Sequence, residues 1–159
     1  MPKSVASVSS IIITKPRAHA FSVAVPADLT DVLHSKGPLP GVKEVTEKNG
    51  LWNAPGDSRR VVMKDGSSAK ETLTAFVKNE RVAYTIDDFH GTLGHLVTHT
   101  TGAWQFLDQP DGQTHVDWTF TFFPKSSLTT PIVSLIAKRF WPGYAGAALQ
   151  RVKELAEQS

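Results

Sequence analysis

Thr114-His115-Val116-Asp117-Trp118-Thr119-Phe120-Thr121-Phe122-Phe123 alternates between polar and apolar side chains almost without a break. Val116, Trp118, Phe120 and Phe122 fall on one face of a period-two strand, and His115, Asp117, Thr119 and Thr121 on the other. That is the pattern of a strand covering a core on one side only. Soon afterwards Thr130-Pro131 predicts a helix start, with Thr at the N-cap and Pro at the first helical position. Ile132, Leu135, Ile136, Phe140, Tyr144, Ala148, Leu149, Val152 and Leu155 then recur at three- and four-residue spacing and make one long apolar face. Pro142-Gly143 interrupts it and predicts a kink.

Working back towards the N-terminus, short strands and turn signals alternate. Asp108-Gln109-Pro110-Asp111-Gly112 turns a long strand from about Gly94 to Leu107 into the one above. Phe89-His90-Gly91 reads as a loop, Val82 to Asp88 as a strand, and Lys78 to Arg81 as the turn before it. Ala69 to Val77 and Arg59 to Lys64 pair through Asp65-Gly66, a strong hairpin signal because both central residues of a type I′ turn need positive φ. Val42 to Glu47 is a further strand, following the breaker cluster Gly37 to Gly41. Ala27 to Lys36 has the spacing of a short helix, with Asp28 and Asp31 early. His19 to Val25 alternates through Phe21, Val23 and Val25 and reads as a strand. Residues 1–15 look poorly ordered, with Ile11-Ile12-Ile13 as a packing patch, and residues 16–159 form a single domain. The order of elements predicts an α+β fold: a curved antiparallel sheet of about six or seven strands wrapped around a long C-terminal helix.

Three segments in this order resemble a known family: Gly56-Asp57-Ser58-Arg59-Arg60-Val61-Val62-Met63-Lys64-Asp65-Gly66, Glu71-Thr72-Leu73-Thr74 and Asn79-Glu80-Arg81-Val82-Ala83-Tyr84. They are similar to the START-like, helix-grip superfamily (SRPBCC), in its polyketide cyclase/dehydrase-like branch, over about residues 17–157. The resemblance implies a pocket for a hydrophobic or lipid-like small molecule, in proteins that range from carriers to cyclases and hydrolases. Fold therefore does not settle function.

If Val77 pairs with Val82, Glu71 faces Asp88 on the inner surface; if Asp65-Gly66 is a two-residue turn, Arg60 lies opposite Glu71. Two carboxylates among aromatic side chains are acid/base candidates, with a salt-bridged group at solvated strand ends as the alternative. His90 overhangs the pocket as a further acid/base, or is a solvated loop histidine. Pairing of position 104 with 116 turns Trp104, Phe106, Trp118 and Phe120 inward as ligand walls that also serve as core. Thr98 and Thr100 then become hydrogen-bonding groups beside Tyr84. Trp141 and Tyr144 at the predicted kink form either a mobile lid or plain core packing. The expected function is binding of a hydrophobic or aromatic, polyketide-like molecule between sheet and helix. The alternatives are a cyclase or dehydratase using Glu71, Asp88 or His90, a lyase or isomerase type of enzyme, and a protein-interaction module.

Composition closes off other classes. With no cysteine there is no disulfide framework, thiolate nucleophile or zinc-thiolate site. His95 and His99 stand about 13 Å apart on a strand and cannot share a zinc, so no metal is expected. Neither a Walker-type nor a dinucleotide glycine loop is present, so no cofactor is expected. A net charge of +2, with Arg59-Arg60 and Lys138-Arg139 the adjacent basic pairs, argues against nucleic acid. No apolar run approaches the roughly 18–20 residues of a membrane span. The expectation is a soluble, cytoplasmic protein; a homodimer stays open.

Overall fold

A computed structural model describes residues 2–159. Seven strands, β1 (Val5–Ile13), β2 (Val42–Asn49), β3 (Ser58–Met63), β4 (Ser68–Val77), β5 (Arg81–His90), β6 (Val97–Gln109) and β7 (Gln113–Pro124), form one antiparallel sheet in the order β1-β7-β6-β5-β4-β3-β2. Two short helices, α1 (Arg17–Ala24) and α2 (Leu29–Val32), link β1 to β2. The chain ends in 28 helical residues: α3 (Thr130–Leu135), a π-helical turn (Ile136–Phe140) and α4 (Trp141–Glu157).

β7 keeps its alternation along its whole length, burying Val116, Trp118, Phe120 and Phe122. Against that face α4 packs Tyr144, Ala145, Ala148, Leu149, Val152 and Ala156. Its three alanines let the helix lie close to the sheet, and its ends are pinned by polar contacts. Arg151 Nη1 donates to Val32 O at 3.0 Å, Tyr144 Oη to Pro40 O at 2.9 Å, and Lys153 Nζ to Ile12 O at 2.7 Å. The kink expected at Pro142 is taken up by the π-helical turn just before Trp141. Proline has no N–H to donate and its ring collides with the carbonyl four residues back, which a widened turn relieves.

Three expectations near the N-terminus are corrected. Residues 5–13 are not a poorly ordered start but the edge strand β1, in continuous register with β7 from Val5↔Phe122 to Ile13↔Thr114. Arg17–Ala24 is a helix and not a strand. Its alternation misleads because Ala20, taken as a spacer, is fully buried beside Phe21, and Ala is the strongest helix former. Phe21 closes one end of the core edge-on to Phe76 and Phe106, at 5.5 and 5.1 Å between ring centres. The helix expected over Ala27 to Lys36 is shorter, four residues capped by Asp28, whose carboxylate accepts from Thr30 N at 2.9 Å.

The β3–β4 connection decides which side chains face inward. Lys64, Asp65 and Gly66 form a three-residue loop, with Met63 N donating to Ser67 O and only Gly66 at positive φ. That is a turn followed by a left-handed bulge residue, not a two-residue type I′ turn. The register moves by one, to Arg59↔Glu71 and Arg60↔Lys70. A one-residue slip sends every side chain to the other face.

Candidate functional site

Between α1–α2 and the inner face of the sheet lies a cavity of about 70 Å³, walled on the helical side by Ala24, Leu29, Val32 and Leu33. Its sheet side is Arg59, Glu71, Val82, Tyr84, Trp104 and Trp118, with Trp52 at the rim. β3 and β4 deliver the charged pair: Arg59 Nε donates to Glu71 Oε1 at 2.9 Å, with 15% and 10% of the two side chains exposed. The Trp52 ring lies 3.8 Å over the Arg59 guanidinium, a cation–π contact. Trp52 has a left-handed backbone (φ 57) in a loop held by Asp57, whose carboxylate accepts from Asn53 N and Ala54 N at 2.9 and 3.1 Å.

Tyr84 stands beside this pair on β5. Trp118 Nε1 donates to its hydroxyl at 3.1 Å. Burial, and next to it the negative charge of Glu71, push the Tyr84 hydroxyl far above its usual range. The hydroxyl of Tyr144, reaching in from α4, is raised chiefly by burial, with Glu71 again contributing. Two phenols, one from the sheet and one from the helix, thus lie in the field of one carboxylate.

Beyond them the wall is aromatic. Trp104 and Trp118 are 4.8 Å apart, Trp118 meets Trp141 edge-on at 5.4 Å, and Trp141 stacks on Phe120 at 4.1 Å. Phe106 stacks with Trp104 at 6.4 Å. These rings fill the interior, and about 70 Å³ holds two or three waters, far less than the ~300–1,000 Å³ of typical ligand pockets. Two buried donors, Thr100 Oγ1 and Trp141 Nε1, have no hydrogen-bond partner among the described residues. A larger groove of about 350 Å³ lies outside, along Pro26–Thr30, Lys43–Val45 and Lys48. Leu29 and Arg59 stand in the walls of both spaces.

Of the residues expected at the site, Glu71, Tyr84, Trp104 and Trp118 line the cavity, and Thr100, Phe106, Phe120, Trp141 and Tyr144 are buried or half-buried in the shell around it. Four do not fit. Glu71 faces Ile86 and not Asp88, because Val77 pairs with Arg81 and not Val82, and a bulge at Thr74 adds a second residue of shift. Asp88 points outward and pairs with Arg60, which also reaches Glu47 at 3.2 Å, so Arg60 belongs to an outer ion cluster. His90 ends β5 with most of its ring exposed, 3.7 Å from Asp88. Thr98 sits in a bulge between Val97 and His99, exposed, near His99 Nδ1 at 2.9 Å. His99 itself stacks on Phe123 on the outer surface, while His95 lies in a separate 3₁₀ turn. No group of three His, Asp or Glu side chains suited to a metal occurs among the described residues. Arg59 and Trp52 were not anticipated. The signal for Arg59 lay in Asp65-Gly66-Ser67, where Asp65 Oδ1 accepts from Ser67 N at 2.9 Å and stabilises the longer loop.

Comparison with known proteins agrees with this architecture. The sequence model of a family described as polyketide cyclase / dehydrase and lipid transport matches residues 16–157. No curated protein matches the chain in sequence. Among solved structures, norcoclaurine synthase from Thalictrum flavum in complex with dopamine and hydroxybenzaldehyde superposes with a TM-score of 0.73 at 12% identity, covering 98% of this chain and 88% of that one. Ara h 8.0201 superposes with a TM-score of 0.69 at 16% identity, over 99% and 100% of the two chains. An uncharacterized protein from Bacillus thuringiensis gives 0.64 at 20% identity, over 94% and 97%. At these identities the likeness is one of fold. Among the described residues, no helix is long and apolar enough to cross a membrane.

Proposed function

Because the chain belongs to the polyketide cyclase / dehydrase and lipid transport family, we propose that it binds a small hydrophobic or aromatic molecule between the sheet and the C-terminal helix. The observation that carries this reading is the Arg59–Glu71 pair facing an otherwise apolar cavity. A charged pair taken out of water is no gain in stability over well-packed apolar side chains, so its presence there suits recognition. The ligand body lies against Trp104, Trp118 and Trp141, and a polar handle meets Arg59, Glu71 and the Tyr84 hydroxyl. Since the present space is small, entry requires Trp52 to leave Arg59 and α2 to move outward from Val82. Leu29 and Arg59, shared with the outer groove, mark the path.

A second reading is proton transfer by Glu71. It is favoured by the adjoining Tyr84 hydroxyl, which keeps its proton well above neutral pH. Enzymes place such paired groups where a substrate must gain and lose protons.

The test is native mass spectrometry of freshly purified protein with extraction of any bound molecule, followed by titration with the anionic aromatic probe anilinonaphthalene sulfonate. Saturable uptake that weakens in Arg59→Gln, which removes the cation facing the sulfonate, and in Trp104→Ala supports the binding site. A protein that carries nothing and ignores the probe overturns it. Turnover of an extracted ligand that Glu71→Gln abolishes, without loss of binding, would decide for the catalytic reading.

A further inference from the structure

α3 and the turn before it present apolar side chains to solvent. Leu128 is 89% exposed, Ile132 50% and Leu135 54%. Ile132 and Leu135, three residues apart, share one side of α3, and Leu128 is exposed in the turn that leads into it. The inward side of the same segment already supplies Val133 and Ala137 to the core, so packing does not account for a second apolar stripe. Single exposed apolar residues are ordinary, but a contiguous row of them marks an interaction surface.

The charges beside the row identify the partner. One turn on, the exposed stripe becomes Lys138 and Arg139. From Trp118 to Lys153 the sequence has no Asp or Glu, while it carries Lys125, Lys138, Arg139, Arg151 and Lys153. Neither Lys138 nor Arg139 has an acidic partner among the described residues. Two copies meeting through this face would oppose like charges, which disfavours self-association. An apolar row flanked by unpaired cations is complementary to a bilayer with anionic headgroups.

We propose that this face docks the protein on an anionic lipid bilayer, with Leu128, Ile132 and Leu135 at the acyl boundary and Lys138 and Arg139 among the headgroups. The assignment holds whichever small molecule the cavity takes. The test is flotation of the full chain with vesicles of phosphatidylcholine alone and of mixed phosphatidylcholine and phosphatidylglycerol, at low and at physiological salt. The protein floats with the anionic vesicles, less so as salt rises, and not with the neutral ones. Ile132→Asp combined with Leu135→Asp lowers the partition by about tenfold or more. Lys138→Ala and Arg139→Ala lower it by roughly fivefold each. These positions are exposed, so circular dichroism melts stay near wild type, and the milder Ile132→Ser serves if they do not. Absence of wild-type flotation, or flotation undiminished by the Asp variant, overturns the proposal. So does a concentration-dependent dimer that Ile132→Asp dissolves without any vesicle binding.

Discussion

Tyr84 lies against Gly102, its cross-strand partner on β6, so closely that a Cβ at Gly102 would overlap the phenol ring. The missing side chain is what lets the ring lie over β6 and bring its hydroxyl to Trp118 Nε1. Gly102→Ala is expected to displace the ring and lower stability by about 1–3 kcal/mol. Tyr84→Phe keeps the ring but strands a buried indole N–H, at a cost of about 1–3 kcal/mol. Both changes act through one hydrogen bond, so the double variant should lose less than the sum. Urea unfolding of the three proteins measures this; simple additivity would show that Gly102 does not position Tyr84.

Arg59 and Glu71 should respond unequally to mutation. Arg59→Ala leaves a buried carboxylate without its cation, with an expected loss of about 3–5 kcal/mol. Glu71→Gln retains an oxygen that accepts from Arg59 Nε and is expected to be milder. Asp88→Asn, on the exposed outer cluster, should stay within about 0.5 kcal/mol of wild type. If Asp88→Asn changed probe binding as much as Arg59→Gln, the inner and outer clusters would not be separate.

The parts of this molecule that were legible share one physical property, a pattern that tertiary context does not alter. β7 reads correctly because a half-buried strand repeats every two residues, and α4 because its apolar face repeats through Tyr144, Ala148, Leu149 and Val152; Ile132, Leu135 and Leu155, expected on that same face, are exposed. Trp104 and Phe106 are expected inside, and are, although Trp104 pairs with Trp118 and not with Val116. A two-residue error preserves facing. At β3 the error is one residue, and the inner arginine becomes Arg59 in place of Arg60. Irregularities within β5 at Asp88, where φ is positive, and within β6 at Thr98 likewise move these two side chains outward, and nothing in local composition marks a bulge. Trp52 escapes notice because its place depends on Asp57 holding a loop with a left-handed residue.

Lys153, and then the Thr14 backbone N–H, hold the Glu157 carboxyl down to about 2 from its ordinary 4.5. The folded value lies below the unfolded one, so the contribution is fully present above about pH 4.5. It is lost as pH falls towards about 2. Since this contact ties the end of α4 to the end of β1, Glu157→Gln should melt somewhat below wild type near neutral pH. The gap should close across that acidic window. A gap independent of pH would mean that the carboxylate charge does not stabilise this junction.

Thr100 offers a way to separate what the interior does for folding from what it does for a ligand. Its hydroxyl is buried without a partner, so in the empty protein it costs stability. A similarly shaped apolar side chain removes that cost, and Thr100→Val is expected to be neutral or more stable by about 1 kcal/mol. If the hydroxyl serves a bound molecule's acceptor atom, the same variant should bind the probe or an extracted ligand about five- to tenfold more weakly. Higher stability with weaker binding is a combination that a purely structural residue does not produce. A stability loss above about 1 kcal/mol would instead show that the hydroxyl has a partner in the folded protein, and its assignment to the ligand would fall.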